Sequence, residues 1–145
     1  MYLFIYLLIY YLYAYFIMLL LNNKTFCCCD TGVGLEGTLP DRTIINKHLL
    51  NLALAHNYLT GSIPSIFQTK SWQNFDVSYN KLNGALVADF GTSLHGNTSI
   101  SIENNRVSGR IPGPLQSLER ISMLGSNLFS CDIDGANLPE HDSGT

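Results

Sequence analysis

Gly32, Gly34 and Gly37 stand in G-x-G-x-x-G spacing within Gly32-Val33-Gly34-Leu35-Glu36-Gly37-Thr38-Leu39-Pro40. In a strand–turn–helix setting such a loop cradles a dinucleotide pyrophosphate, with an acidic residue roughly 20 positions on for the ribose. Here an uncharged apolar run and Cys27-Cys28-Cys29 precede the glycines and Pro40-Asp41 follow them, so no nucleotide site is expected. The three adjacent cysteines have no C-x-x-C partner or paired histidine to make a metal site. Neighbouring cysteines also rarely meet disulfide geometry. Beside an apolar run, Cys27, Cys28 and Cys29 are candidates for S-palmitoylation, with unmodified thiols as the alternative. His48, His56, His95 and His141 form no metal-spaced pair. His141-Asp142-Ser143 holds the residue types of a hydrolytic triad, but adjacent residues cannot build that relay. No nucleophile elbow or compelling carboxylate pair stands in the sequence, and Asp76 and Glu103 fall at variable positions of the chain's repeat pattern. The expectation is a protein without enzyme activity and without a cofactor.

The elements that must position these residues divide the 145-residue chain in two. Residues 1–21 carry no charge and are mostly apolar. At about 1.5 Å per residue they are long enough to cross a hydrocarbon core of about 30 Å. No Lys or Arg opens the run and no small-residue cleavage site closes it, which favours a transmembrane helix or signal anchor over a cleaved signal peptide. Tyr2, Tyr6, Tyr10 and Tyr13 share one helical face, a residue type that prefers the membrane interface. A wrongly assigned start would also produce so biased a run. The remainder is polar and rich in Asn, Gly and Ser, and the net charge of -3 offers no footprint for nucleic acid.

That remainder is periodic. Leu49–Phe67, Trp72–Phe90 and Asn97–Leu115 align as three copies with apolar residues at matching positions. Asn57, Asn80 and Asn105 stand 23 and 25 residues apart, and Gly61, Gly84 and Gly109 form a second column. Pro64 and Pro112 form a third, with Val87 in the middle copy. Leu35, Gly37, Leu39 and Pro40 occupy the columns of Leu59, Gly61, Ile63 and Pro64, so the glycine motif is the back half of an earlier copy. Repeats of this length mean a solenoid. "LALAHNYLTGSIP" and "ISIENNRVSGRIP" closely resemble the plant-type leucine-rich repeat, LxxLxLxxNxLxGxIP, over about Leu35 to Cys131. The resemblance implies a short strand from each repeat on a parallel concave sheet, and roles like those of receptor ectodomains or inhibitor proteins.

The expected architecture is therefore an α/β-type leucine-rich repeat solenoid of about four repeats with a parallel β concave face, preceded by one N-terminal transmembrane helix. Its parts are the helix at 1–21, a Cys-containing linker at 22–34, the solenoid at 35–131 and a C-terminal cap and tail at 132–145. In the last copy Asn127 follows Asn105 by 22 residues, and the apolar phase before it is ambiguous: either Ile121 and Met123 or Leu124 faces inward. At the front, Cys28, Asp30 and Val33 stand where two core apolars and the Asn belong, so that repeat has only its back half.

Alternation of Leu52, Leu54, Phe75, Val77, Ile100 and Ile102 with polar neighbours marks half-buried strands. Asn57, Asn80, Asn105 and Asn127 are expected as a structural ladder whose amides serve the turns leaving the strands. The concave columns are expected to be Asn51, Asn74 and Ser99; Ala53, Asp76 and Ser101; Ala55, Ser78 and Glu103; and His56, Tyr79 and Asn104. Among these, Asn51, His56, Asn74, Asp76, Tyr79, Ser101 and Glu103 are the candidate ligand contacts. Asn23 and Asn97 open N-x-[ST] sequons and are glycosylation candidates. The expected function is recognition of a protein, peptide or glycan by a single-pass membrane protein of the cell surface or endomembranes, with a secreted protein as second choice. The alternative is a structural fragment of a longer repeat scaffold with a spurious leader.

Overall fold

A computed structural model describes residues 27–29, 32–41, 48–130 and 138–142, the first group by its backbone. The expected helix at 1–21, the sequon at Asn23, the cysteine thiols and Cys131 lie outside what is described. The strands are β1 (Cys27–Cys29), β2 (Glu36–Thr38), β3 (Asn51–Ala53), β4 (Tyr58–Thr60), β5 (Asn74–Asp76), β6 (Asn83–Ala85), β7 (Ser99–Ser101), β8 (Arg106–Gly109), β9 (Arg120–Ser122) and β10 (Leu128–Phe129). Two helical turns, α1 (Ser65–Gln68) and α2 (Gly113–Gln116), sit on the return path. The odd strands form one parallel sheet in the order β1-β3-β5-β7-β9, and β10-β8-β6 and β2-β4 form two smaller ones. This is a parallel solenoid: β3, β5 and β7 each pair with their equivalents one turn before and after, and the flank strands pair in two separate groups joined by a single bridge between Ser62 and Asn83.

The pairing follows from the columns. Leu52, Phe75, Ile100 and Ile121 are the central residues of three-residue strands, in register and no more than 3% exposed. Leu54, Val77, Ile102 and Met123 follow two positions on and are fully buried. Side chains two apart share a face of a strand, so both rows enter the core while the residues between them face outward. Leu59, Leu82 and Val107 return from the opposite flank, and Phe67, Phe90 and Leu115 close each turn from the convex side. Trp72, Phe75, Phe67 and Phe90 make an aromatic cluster, with the Trp72 indole N–H donating to the Phe67 carbonyl at 2.7 Å. Lys70 lays its ammonium 5.3 Å from the Trp72 ring centroid, and burial lowers its pKa from the usual lysine value.

The asparagines explain how a turn this tight keeps its polar groups satisfied. Each Oδ1 accepts the N–H of a residue one turn back: Leu35 for Asn57, Leu59 for Asn80, Leu82 for Asn105 and Val107 for Asn127, all at 2.9 Å. Each Nδ2 donates to carbonyls at the end of the strand row, as Asn105 does to Val77, Ile102 and Glu103. One amide thus serves both neighbours, which water cannot do inside the turn. The Gly column answers a different need. Gly61 and Gly84 hold φ of +75° and +80°, and a Cβ would stand 2.9 Å from Thr38 Cγ2 at the first and 3.2 Å from Ser62 Cβ at the second.

Three details add to the sequence reading or decide between its alternatives. First, Cys27–Cys29 pairs with Asn51–Ala53 in parallel, Cys28 opposite Leu52, so the front turn contributes a strand where only a back half was expected. Val33, in the Asn column there, is exposed. Second, Asn97 is exposed, and Thr98 beside it is buried with its hydroxyl donating to the Trp72 carbonyl at 2.7 Å. The apolar column of Leu49 and Trp72 is therefore filled at that turn by a hydrogen-bonded threonine. Third, Ile121 and Met123 face inward and Leu124 is only partly buried. Asn127 reaches back four residues to the Met123 carbonyl, where Asn105 reaches three to Ile102. An extra residue in that turn is absorbed there, and the Asn104 N–H accordingly skips to the Gly125 carbonyl.

Candidate concave binding face

The outward residues of the sheet form two columns in strict register. Asn51, Asn74, Ser99 and Arg120 make the first, and Ala53, Asp76, Ser101 and Ser122 the second. The third expected column is only partly on the surface. Ala55 and Ser78 are each 4% exposed, because at the end of the strand the chain bends inward toward the Asn turn, and Glu103 alone of that column is half-exposed.

The fourth column lies on the rim. His56, Tyr79, Asn104 and Ser126 all have positive φ, between 53° and 56°. This left-handed conformation is sparsely populated by side-chain-bearing residues, Asn being among the better tolerated. It recurs because the residue before each ladder Asn must reverse the chain. Its effect is to lift the side chain clear of the core: Tyr79 is 44% exposed and His56 is exposed. Their rings stack with centroids 4.2 Å apart and planes 12° from parallel.

Intramolecular bonds orient the carboxylates. Asp76 Oδ1 accepts from the Ser78 N–H at 3.0 Å and the Ser78 hydroxyl at 2.6 Å. Glu103 Oε2 accepts from the Ser122 hydroxyl at 2.7 Å, one turn on. Each keeps a second oxygen with no partner among the described residues. At the C-terminal end a shallow cavity of about 300 Å³ opens between Ser99, Ser101, Arg120, Ser122 and His141. Among the described residues no group of three His, Cys, Asp or Glu side chains could hold a metal ion, and no helix is long and apolar enough to cross a membrane.

The face thus brings Asn51, Asn74, Asp76, Ser101 and Glu103 onto one sheet and sets His56 and Tyr79 along its edge. Sequence reasoning missed Arg120 and His141. Arg120 was hidden by the ambiguous phase of the last copy. His141 enters because Asp142 ties the C-terminal segment to the end of the sheet: it bridges to Ile121, and its Oδ2 accepts the N–H groups of Met123 and Leu124 at 2.7 and 3.0 Å. The Asp-Ser pairing of "HDS" had suggested only a triad without geometry, and a capping carboxylate carries no local motif. The glycine motif belongs to the flank: Glu36–Thr38 pairs in parallel with Tyr58–Thr60, and the Tyr58 N–H donates to the Leu35 carbonyl.

The family model described as Leucine Rich Repeat matches residues 48–69, the turn that runs from the end before β3 through α1. A probable leucine-rich-repeat receptor-like serine/threonine-protein kinase of Arabidopsis thaliana is 30% identical over 78 residues, 54% of this chain. Residues 48–69 thus match a leucine-rich repeat, and the chain is similar over 78 residues to a plant leucine-rich-repeat protein. The matched stretch spans 10% of that relative's length.

Proposed function

We propose that this leucine-rich repeat protein is a single-pass membrane protein whose concave face recognises a protein or peptide, acting by binding and not by turnover. The observation that carries the reading is the row of outward side chains on a rigid parallel sheet, several oriented by bonds that leave them hydrogen-bonding capacity to spare. Side chains held this way lose little freedom when a ligand docks. The uncharged run at residues 1–21 supports an anchor, and the resemblance to a receptor-like kinase supports a place at a membrane. Asn97 lies exposed in the turn before β7, an accessible position for a glycan on a lumenal repeat domain.

The test is expression of the full chain in a eukaryotic cell, followed by alkaline extraction of membranes and glycosidase treatment. The expected result is a protein that resists extraction and loses the mass of a glycan, a loss abolished by Asn97→Gln. Acylation of Cys27–Cys29 by cytosolic enzymes would mark the opposite orientation. A protein extracted at high pH and carrying no glycan would refute the anchored, lumenal reading.

A further inference from the structure

We infer that the His56–Tyr79 stack, with Asp76 and Glu103 beside it, is a subsite for an arginine or lysine side chain presented by an extended protein segment lying across the concave sheet. The inference rests on the concave-face reading above and names the chemistry of its occupant.

Charge decides the kind of partner. Among the described outward residues of β3, β5 and β7 and the three residues after each, the charged ones are Asp76 and Glu103, with His56 the only other titratable group besides Tyr79. Arg120 stands on β9, farther along the sheet. The middle of the face therefore offers two carboxylates and no lysine or arginine to neutralise them. Neither carboxylate is mobile: the Ser78 N–H and hydroxyl hold Asp76, and the Ser122 hydroxyl holds Glu103. Each keeps its other oxygen without a partner among the described residues. A cation arriving there would meet fixed acceptors with little ordering cost.

Position ties the aromatic pair to the same spot. The Tyr79 N–H donates to the Glu103 carbonyl at 3.0 Å, so tyrosine and glutamate are direct neighbours across two turns. Asp76 closes β5 three residues before Tyr79 in the same turn, with Ser78 between them bonded to its carboxylate. His56 braces the tyrosine ring from the turn on the other side, at 4.2 Å. The next member of the rim is Asn104, a smaller side chain, which leaves the opposite face of the Tyr79 ring less covered. A planar guanidinium or an ammonium over such a face gains a cation–π contact while its donors reach the carboxylates. An acidic or purely apolar side chain gains neither.

The experiment is selection of random extended dodecapeptides displayed on phage against the immobilised full-length chain. The expected result is a family of sequences with Arg or Lys at one position, whose synthetic representative binds more weakly by about tenfold when that residue is replaced by Gln. Tyr79→Asn and Asp76→Asn should each cost a comparable factor, and binding should weaken with salt. Asparagine is chosen at 79 because Asn104 occupies the same left-handed position, so the turn is kept; an unchanged urea midpoint would verify that. Enrichment without a basic position, or a basic position whose contribution survives both substitutions, overturns the subsite and leaves concave recognition standing. Failure to enrich any sequence overturns the subsite together with the reading beneath it. Binding of a neutral oligosaccharide that Tyr79→Asn abolishes and Asp76→Asn leaves intact would make the stack a sugar platform and overturn the basic occupant.

Discussion

Replacing Gln68 with leucine tests how the solenoid tolerates the break in its proline column at Val87. Pro64 and Pro112 have no N–H, but Val87 in the same column does, and the turn was built for a residue without one. The Val87 N–H is satisfied by Gln68 Oε1 of the preceding repeat at 2.7 Å, while Gln68 Nε2 donates to the Ile63 carbonyl. Gln68 is only 2% exposed, so water cannot replace it. Leucine there strands a donor and an acceptor, each worth about 1–3 kcal/mol when left unpaired. Partial relaxation of the exposed side of Val87 reduces that to about 2–4 kcal/mol in total.

Val87→Pro removes the donor at its source. The column accepts proline with φ near -60° at Pro64 and Pro112, so this change alone should cost about 1–3 kcal/mol, the penalty for the buried Gln68 Oε1 it leaves without a donor. The double variant should then be less destabilised than the two single variants together, with a coupling of about 1–2 kcal/mol. Urea unfolding followed through Trp72 suits the measurement, since it is the chain's single tryptophan and is buried against Phe67. If the losses simply add, within about 0.5 kcal/mol, the Gln68–Val87 bond is not what compensates for the missing proline and the reasoning fails.

Two further outcomes follow from the same accounting of polar groups. Asn105→Asp keeps the acceptor for the Leu82 N–H but sets a carboxylate oxygen against the carbonyls of Val77, Ile102 and Glu103; it should lower the urea midpoint more than Asn105→Ala does, a cost of at least about 3 kcal/mol. Asp142→Ala removes the acceptor for the Met123 and Leu124 N–H groups, so hydrogen exchange should accelerate at least tenfold at Ile121–Leu124 and stay unchanged at Leu52–Leu54. Uniform acceleration across both strands would show that Asp142 holds the whole solenoid and not its last turn.

Much of the fold was legible because a solenoid repeats its demands. Every turn needs an inward apolar residue at the strand centre, a second two positions on, an amide before the flank and a glycine where the flank strands approach. These requirements are local to one turn, so each writes itself into the sequence at constant spacing, and Leu52, Phe75 and Ile100 or Asn57, Asn80 and Asn105 could be aligned without coordinates. The same local logic assigned Gly37 to a repeat and not to a nucleotide loop.

What only the tertiary structure decided are the contacts made between turns or across an irregularity. His56 and Tyr79 are 23 residues apart, and nothing in either copy says that their rings stack; the register of adjacent strands and the left-handed rim put them together. Gln68 and Val87 satisfy one another only because consecutive turns stand at sheet spacing. The surplus residue before Asn127 could be placed at several points by pattern alone, and the burial of Met123 chooses among them. Asp142 caps β9 through two backbone donors, a role that depends on where the chain returns in space and has no period to reveal it. Periodic burial is encoded residue by residue, whereas the binding face is assembled from neighbours that the sequence keeps a full turn apart, 19 residues for Glu103 and Ser122 and 23 for His56 and Tyr79.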